Sequence, residues 1–124
     1  MTRLIVLLAA VLVLVTGAAD AADAAELIMF ETDGCPFCIR WHKEIGPIYP
    51  KTPEGRVLPL RRARLGALPP DLKRIKNLRY APTFVAVECG RELGRIVGYQ
   101  GEDFFWGELT VIIKSISAKA RPAC

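Results

Sequence analysis

The chain has 124 residues, 52% apolar, with 17 Lys and Arg against 13 Asp and Glu, four Cys and one His. That length allows one domain and excludes a dinucleotide-binding domain paired with a separate catalytic domain. A net charge of +4 without a nucleic-acid-binding motif points away from nucleic acid and toward, at most, an acidic protein surface or a small anion.

The apolar residues are unevenly spread. Met1-Thr2-Arg3 is a short positive head, and Leu4 to Val15 is an unbroken apolar run of 12 residues. Small residues follow, with A-x-A patterns ending at Ala21 and Ala24. This is the order of a secretory signal peptide. As a helix the run rises about 18 Å, short of a bilayer core of about 30 Å. The expected organisation is a cleaved leader over residues 1–24 and one domain over 25–124. Removing the leader takes away one Arg and two Asp and raises the net charge to +5. The expected destination is the periplasm, where disulfides persist.

In chain order, Glu26 to Glu31 is a short apolar run ended by Thr32-Asp33-Gly34 and reads as a buried strand. A helix starts near Cys35-Pro36, because proline at the first turn sacrifices no hydrogen bond. Phe37, Trp41 and Ile45 repeat at i, i+4 and i+8, with Cys38 joining Trp41, and Gly46-Pro47 stops the helix. Thr52 to Gly55 reads as a loop and Val57 to Leu65 as a second strand. A short helix is expected from Leu68-Pro69-Pro70-Asp71 through Leu72, Ile75 and Leu78. Thr83 to Glu88 and Glu92 to Tyr99 form a hairpin about a Cys89-Gly90-Arg91 turn. Gly101-Glu102-Asp103 opens a last helix whose inward stripe is Phe105, Leu109, Ile112 and Ile116. The order β-α-β-α-β-β-α predicts an α/β fold: a mixed sheet with helices on both faces.

The chemistry gathers at Cys35-Pro36-Phe37-Cys38. Two cysteines three apart at a helix N-terminus close a small disulfide ring. The first meets free N–H groups and the positive end of the helix dipole, and both stabilise a thiolate. Such a thiolate attacks a partner disulfide, and the second cysteine resolves the mixed disulfide. C-x-x-C beside a βαβ pattern is a redox motif. A disulfide exchanged in this way needs no further cofactor and no metal.

With this motif and Tyr80-Ala81-Pro82-Thr83 before the third strand, the chain resembles the thioredoxin superfamily from Leu27 to Ile116. The resemblance implies a thioredoxin fold, a cis Pro82, and an Ala81 backbone that pairs with an extended substrate segment. Phe37 and Trp41, beside the cysteines, are assigned with them to substrate contact. The superfamily's buried aspartate, six residues before the first cysteine, is replaced by Met29, so Glu31 becomes the expected proton carrier. Pro36-Phe37 is similar to the glutaredoxin pair, but the glutaredoxin Thr-Val-Pro loop is absent, and glutathione binding is not expected. Asp33 to Trp41, Leu60-Arg61-Arg62 and Gly94 to Tyr99 further resemble the exported thioredoxin-like proteins of bacterial sulfur-oxidation (Sox) clusters. That resemblance implies a monomeric reductase for a cysteine-bearing sulfur-carrier protein, supplied by a membrane thiol electron donor.

Other readings stand beside this one. Cys35, Cys38 and His42 read C-x-x-C-x-x-x-H, and a copper or zinc carrier would use them, although no second C-x-x-C supplies a fourth ligand. A catalytically weak regulatory partner is a third reading. Arg61, Arg62 and Arg64, with Lys73, Arg74, Lys76 and Arg79, make either a solvated basic face or a steering patch. Cys89 and Cys124 remain open between an inert thiol at Cys89, a mutual disulfide and an intermolecular bridge.

Overall fold

The computed structural model describes residues 24–119 and Cys124. The expected leader lies outside the described residues. Among those residues, no helix is long and apolar enough to cross a membrane. Four strands, β1 (Glu26–Glu31), β2 (Leu60–Arg64), β3 (Thr83–Glu88) and β4 (Arg91–Val97), form one sheet in the order β2-β1-β3-β4. The β1–β2 pair is parallel, and the β1–β3 and β3–β4 pairs are antiparallel. The helices are α1 (Pro36–Glu44), α2 (Pro53–Val57) and α3 (Glu102–Ala118). The mixed sheet flanked by helices is the expected α/β thioredoxin fold.

Strand alternation separates two cores. Leu27 and Met29 of β1, with Phe84 and Ala86 of β3, face α1 and α3. The inward stripe of α3 is Phe105, Leu109, Ile112 and Ile116, as its periodicity predicts. At Gly94 of β4 an added Cβ would stand 3.0 Å from Ile112, so the missing side chain lets α3 lie close to the strand. Trp41, Phe84 and Phe105 pack with ring centroids 5.0 to 5.6 Å apart, and Tyr49 joins them at 6.0 Å from Trp41. Aromatic pairs in such geometry add about 0.5–1.5 kcal/mol each beyond their buried area.

On the opposite face, Ile28 and Phe30 of β1 pack with Ala63, Val85, Val87, Leu72 and Ile75. The helix expected over Leu68 to Leu78 is reduced there to a single 3-10 turn, Pro70–Leu72. Asn77 takes φ 57°, in the left-handed region. Arg95 of β4 donates to the carbonyls of Lys76 and Asn77 at 2.9 and 3.1 Å and ties the segment to the sheet edge in this conformation. Lys73, Lys76 and Arg79, three residues apart, would also repel one another along one helix face. The apolar residues still cover the sheet; only their backbone conformation differs.

The segment before β2 differs too. Thr52 is a helix N-cap, its hydroxyl accepting from the Gly55 N–H at 3.0 Å, with Pro53 at the first position of α2. The expected loop is thus a helix start, and β2 begins at Leu60 instead of Val57. The β3–β4 turn has positive φ at both Cys89 (53°) and Gly90 (69°), which suits the right-handed twist of the hairpin.

Candidate functional site

Both cysteines of the motif sit where β1 hands over to α1. Gly34, at φ 67°, turns the chain, and Cys35 is the N-cap of α1 with Pro36 at its first position. Cys35 and Cys38 form a disulfide with Cα atoms 5.2 Å apart. Cys35 Sγ accepts a hydrogen bond from the Cys38 backbone N–H at 3.1 Å. In the reduced protein that N–H becomes a charge-assisted donor to a thiolate, acting with the helix dipole. The first turn carries no acidic residue to oppose it. Cys35 is the more accessible of the pair, at 8% against 3% for Cys38. The asymmetry suits an outer sulfur that is attacked first and an inner one that resolves.

Strand register brings the proline loop to the same edge. Thr83 pairs with Phe30, so Pro82 lies level with Glu31 and the loop leading to Cys35. The Ala81–Pro82 peptide is cis. Thr83 Oγ donates to the Tyr80 carbonyl at 2.6 Å, and Gly98 N–H donates to the Pro82 carbonyl at 2.7 Å, which fixes the loop on both sides. Pro82 is buried and Ala81 half-buried, while Tyr80 is exposed. Phe37 stands out from α1 and is also exposed, so it is available to a partner and is not part of the helix's inward stripe. That stripe is Cys38, Trp41 and Ile45.

One expectation is corrected here. Trp41 is fully buried among Tyr49, Phe84 and Phe105, with His42 edge-on at 5.3 Å, and is therefore a core residue without access to substrate. Its i, i+3 relation to Cys38 was the sequence signal for the core role. Glu31, the expected proton carrier, is held as a paired carboxylate. Burial raises its carboxyl, but hydrogen bonds from Arg62 and His42, reinforced by their charges, outweigh that and hold it below the ordinary glutamate range. One oxygen meets His42 Nε2 at 2.5 Å and the other meets Arg62 Nε at 2.5 Å.

His42 is thus turned onto Glu31. Among the described residues, no group of three or more His, Cys, Asp or Glu is arranged to hold a metal ion. The arginines of β2 are separately paired: Arg61 with Glu26 and Asp71, Arg62 with Glu31, and Arg64 with Asp33. A second brace holds the far end of α1. Glu44 accepts from Arg40 at 2.8 Å and from the Tyr99 hydroxyl at 2.5 Å, and the Arg40 guanidinium lies 5.3 Å from the Tyr99 ring centroid. Sequence spacing gave no sign of this brace, because Glu44 and Tyr99 are 55 residues apart.

The other two cysteines, left open by the sequence, are joined to each other, with Cα atoms 5.5 Å apart. Cys89 follows Glu88 at the end of β3, which pairs alongside Glu26 at the start of β1. The two disulfides therefore lie at opposite ends of the sheet, about 20 Å apart along a six-residue strand.

The chain matches the family model of the thioredoxin-like domain over residues 16–111 and belongs to that family. The fold and the disulfide at the head of α1 make it a thiol–disulfide oxidoreductase. It is similar to the periplasmic thioredoxin SoxS from Paracoccus pantotrophus, solved in its reduced form. The two are 44% identical over 74% of this chain and 98% of that one, with a TM-score of 0.70. A thioredoxin-like protein from Clostridium perfringens is 26% identical over 73% of this chain and 71% of that one, with a TM-score of 0.54. Thioredoxin f2 from Chlamydomonas reinhardtii, 15% identical over 82% of this chain and 86% of that one, shares the fold at a TM-score of 0.57. No curated protein sequence matches.

Proposed function

We propose that the protein is an exported reductase that transfers two electrons from the Cys35–Cys38 dithiol to a protein disulfide. The Cys35 thiolate attacks one sulfur of the partner disulfide. That bond breaks, the other partner sulfur leaves as a thiolate and takes a proton from water, and a mixed disulfide remains on Cys35. The Cys38 thiolate then attacks Cys35 Sγ and releases the second partner thiol, leaving the enzyme oxidised. Pro82 and Ala81 shape the groove, the Ala81 backbone pairing with an extended substrate segment, and exposed Phe37 adds apolar contact.

The observation that carries the reading is the position of Cys35, with its sulfur accepting the Cys38 N–H at 3.1 Å. Similarity to a periplasmic thioredoxin named SoxS supports a periplasmic location after removal of residues 1–24. It also supports a cysteine-bearing partner in a sulfur-oxidation system, the enzyme acting as a monomer that a membrane thiol donor re-reduces. The test is a Cys38→Ser variant expressed in the exporting cell. A mixed disulfide should accumulate through Cys35 and identify the partner. Absence of any trapped species, with the variant correctly exported, would remove the claim of a specific protein substrate.

A further inference from the structure

We infer that Arg62 and His42 are positioning residues that mask the negative charge of Glu31 beside the active-site dithiol and so set how readily Cys35 becomes a thiolate. The inference rests on the reading of Cys35 as the attacking sulfur.

Three elements converge on one carboxylate. Glu31 ends β1, four residues before Cys35, with its side chain only 13% exposed. Arg62 reaches it from β2 through Nε at 2.5 Å and through Nη2 at 3.4 Å to the other oxygen. His42 reaches it from α1, one helical turn after Cys38. Glu31 also lines a cleft of about 420 Å³ with Thr32, Asp33, Arg62, Ala63 and Arg64, and this cleft adjoins the turn into Cys35. The other charged groups nearby are largely self-compensating. Asp33 is paired with Arg64 and Glu44 with Arg40, and Lys43 lies on the last turn of α1.

A carboxylate in this place has a cost for the enzyme. Each turnover creates a thiolate on Cys35, and an uncompensated negative charge nearby opposes it. The contacts from Arg62 and His42 favour the ionised form of Glu31, so its negative charge stands against the thiolate. The same two donors compensate that charge, one of them a guanidinium that is always charged.

The experiment uses full-length mature protein in a Cys38→Ser background, which leaves one active-site thiol, with the Cys89–Cys124 disulfide intact. Cys35 is titrated by thiolate absorbance. Arg62→Gln should lower the thiolate fraction below the thiol pKa by on the order of two- to threefold, the size of effect one nearby charge has through a water-like dielectric. Glu31→Gln should raise it by a similar factor, and the double variant should return to the starting value. His42→Leu, which removes a hydrogen-bond partner of Glu31, should shift the titration in the direction of Arg62→Gln by a smaller factor, and His42→Gln, which keeps an N–H donor, should reverse part of that shift. Arg62 is 65% exposed, so its replacement leaves the core intact. Arg62→Gln and Glu31→Gln shifting the titration in the same direction would show a merely structural role and overturn the inference. So would single variants without effect, or a double variant that fails to compensate. A wild type unable to reduce disulfides would refute the proposed function, and the thiol titration would still be readable.

Discussion

Replacing both Cys89 and Cys124 by Ser should destabilise the protein without touching its chemistry. The two cysteines are 35 residues apart in sequence, and the loop they close contains β4 and α3. On the chain-entropy account, closing a loop of that length removes about 13 cal/mol/K from the unfolded chain, or about 3.8 kcal/mol at 25 °C. A protein of this size has about 5–15 kcal/mol in all, so the loss is large. The active-site ring, only three residues apart, contributes about 1.6 kcal/mol by the same reasoning. The far disulfide is therefore the staple and the near one the working pair. Urea unfolding of the oxidised double variant against oxidised wild type measures the difference. Insulin reduction should stay unchanged, since the far disulfide lies at the opposite end of the sheet. A stability loss under about 1 kcal/mol would refute the staple role, and a parallel loss of activity in folded protein would refute the separation of the two ends.

Two further outcomes follow from local geometry. Gly55→Ala should destabilise, although the same change in an open helix gains about 1 kcal/mol, because the new Cβ would stand 2.0 Å from the Tyr49 carbonyl oxygen. Thermal unfolding checks this, and an unchanged melting temperature would contradict the packing of α2 on the turn at Tyr49. The Glu31 carboxyl titrates lower in the folded protein than in the unfolded chain, so the unfolded state binds more protons as acid is added. Its stabilising share is present above the ordinary value of 4.5 and is lost as pH falls through the folded value. Melting temperatures measured from neutral pH into this range should fall less steeply for Glu31→Gln than for wild type.

Legibility from sequence followed the range of the interactions. β1, the hairpin and α3 were readable because period and punctuation agree: a short apolar run ended by Asp33-Gly34, a Gly90 turn, and a four-residue stripe behind Gly101. The motif cysteines were readable because their chemistry needs only the spacing and the helix start. The segment before β2 was misread because Thr52-Pro53-Glu54-Gly55 is both a plausible turn and a good helix start. Only the Thr52 hydroxyl bond to Gly55 decides between them. The helix expected over Leu68 to Leu78 is cut to one turn; Asn77 takes a left-handed φ of 57°, and Arg95, on β4, holds the segment there through contacts distant in sequence. Glu31 is legible as a candidate from its place before the cysteines, but its partners are not. Its role depends on Arg62, 31 residues away, and on His42 across the active-site turn, and no local pattern encodes that pairing. Trp41 was assigned to the substrate side because it neighbours the cysteines, yet the ring cluster behind it belongs to β3 and α3.

The most direct test of the account is dithiol-driven reduction of insulin by wild type, Cys35→Ser and Cys38→Ser. Wild type should be active and Cys35→Ser inactive, with Cys38→Ser forming a stable mixed disulfide in place of steady turnover. An active Cys35→Ser variant would contradict the assignment of Cys35 as the attacking sulfur. Folded but inactive wild type would contradict the reductase itself.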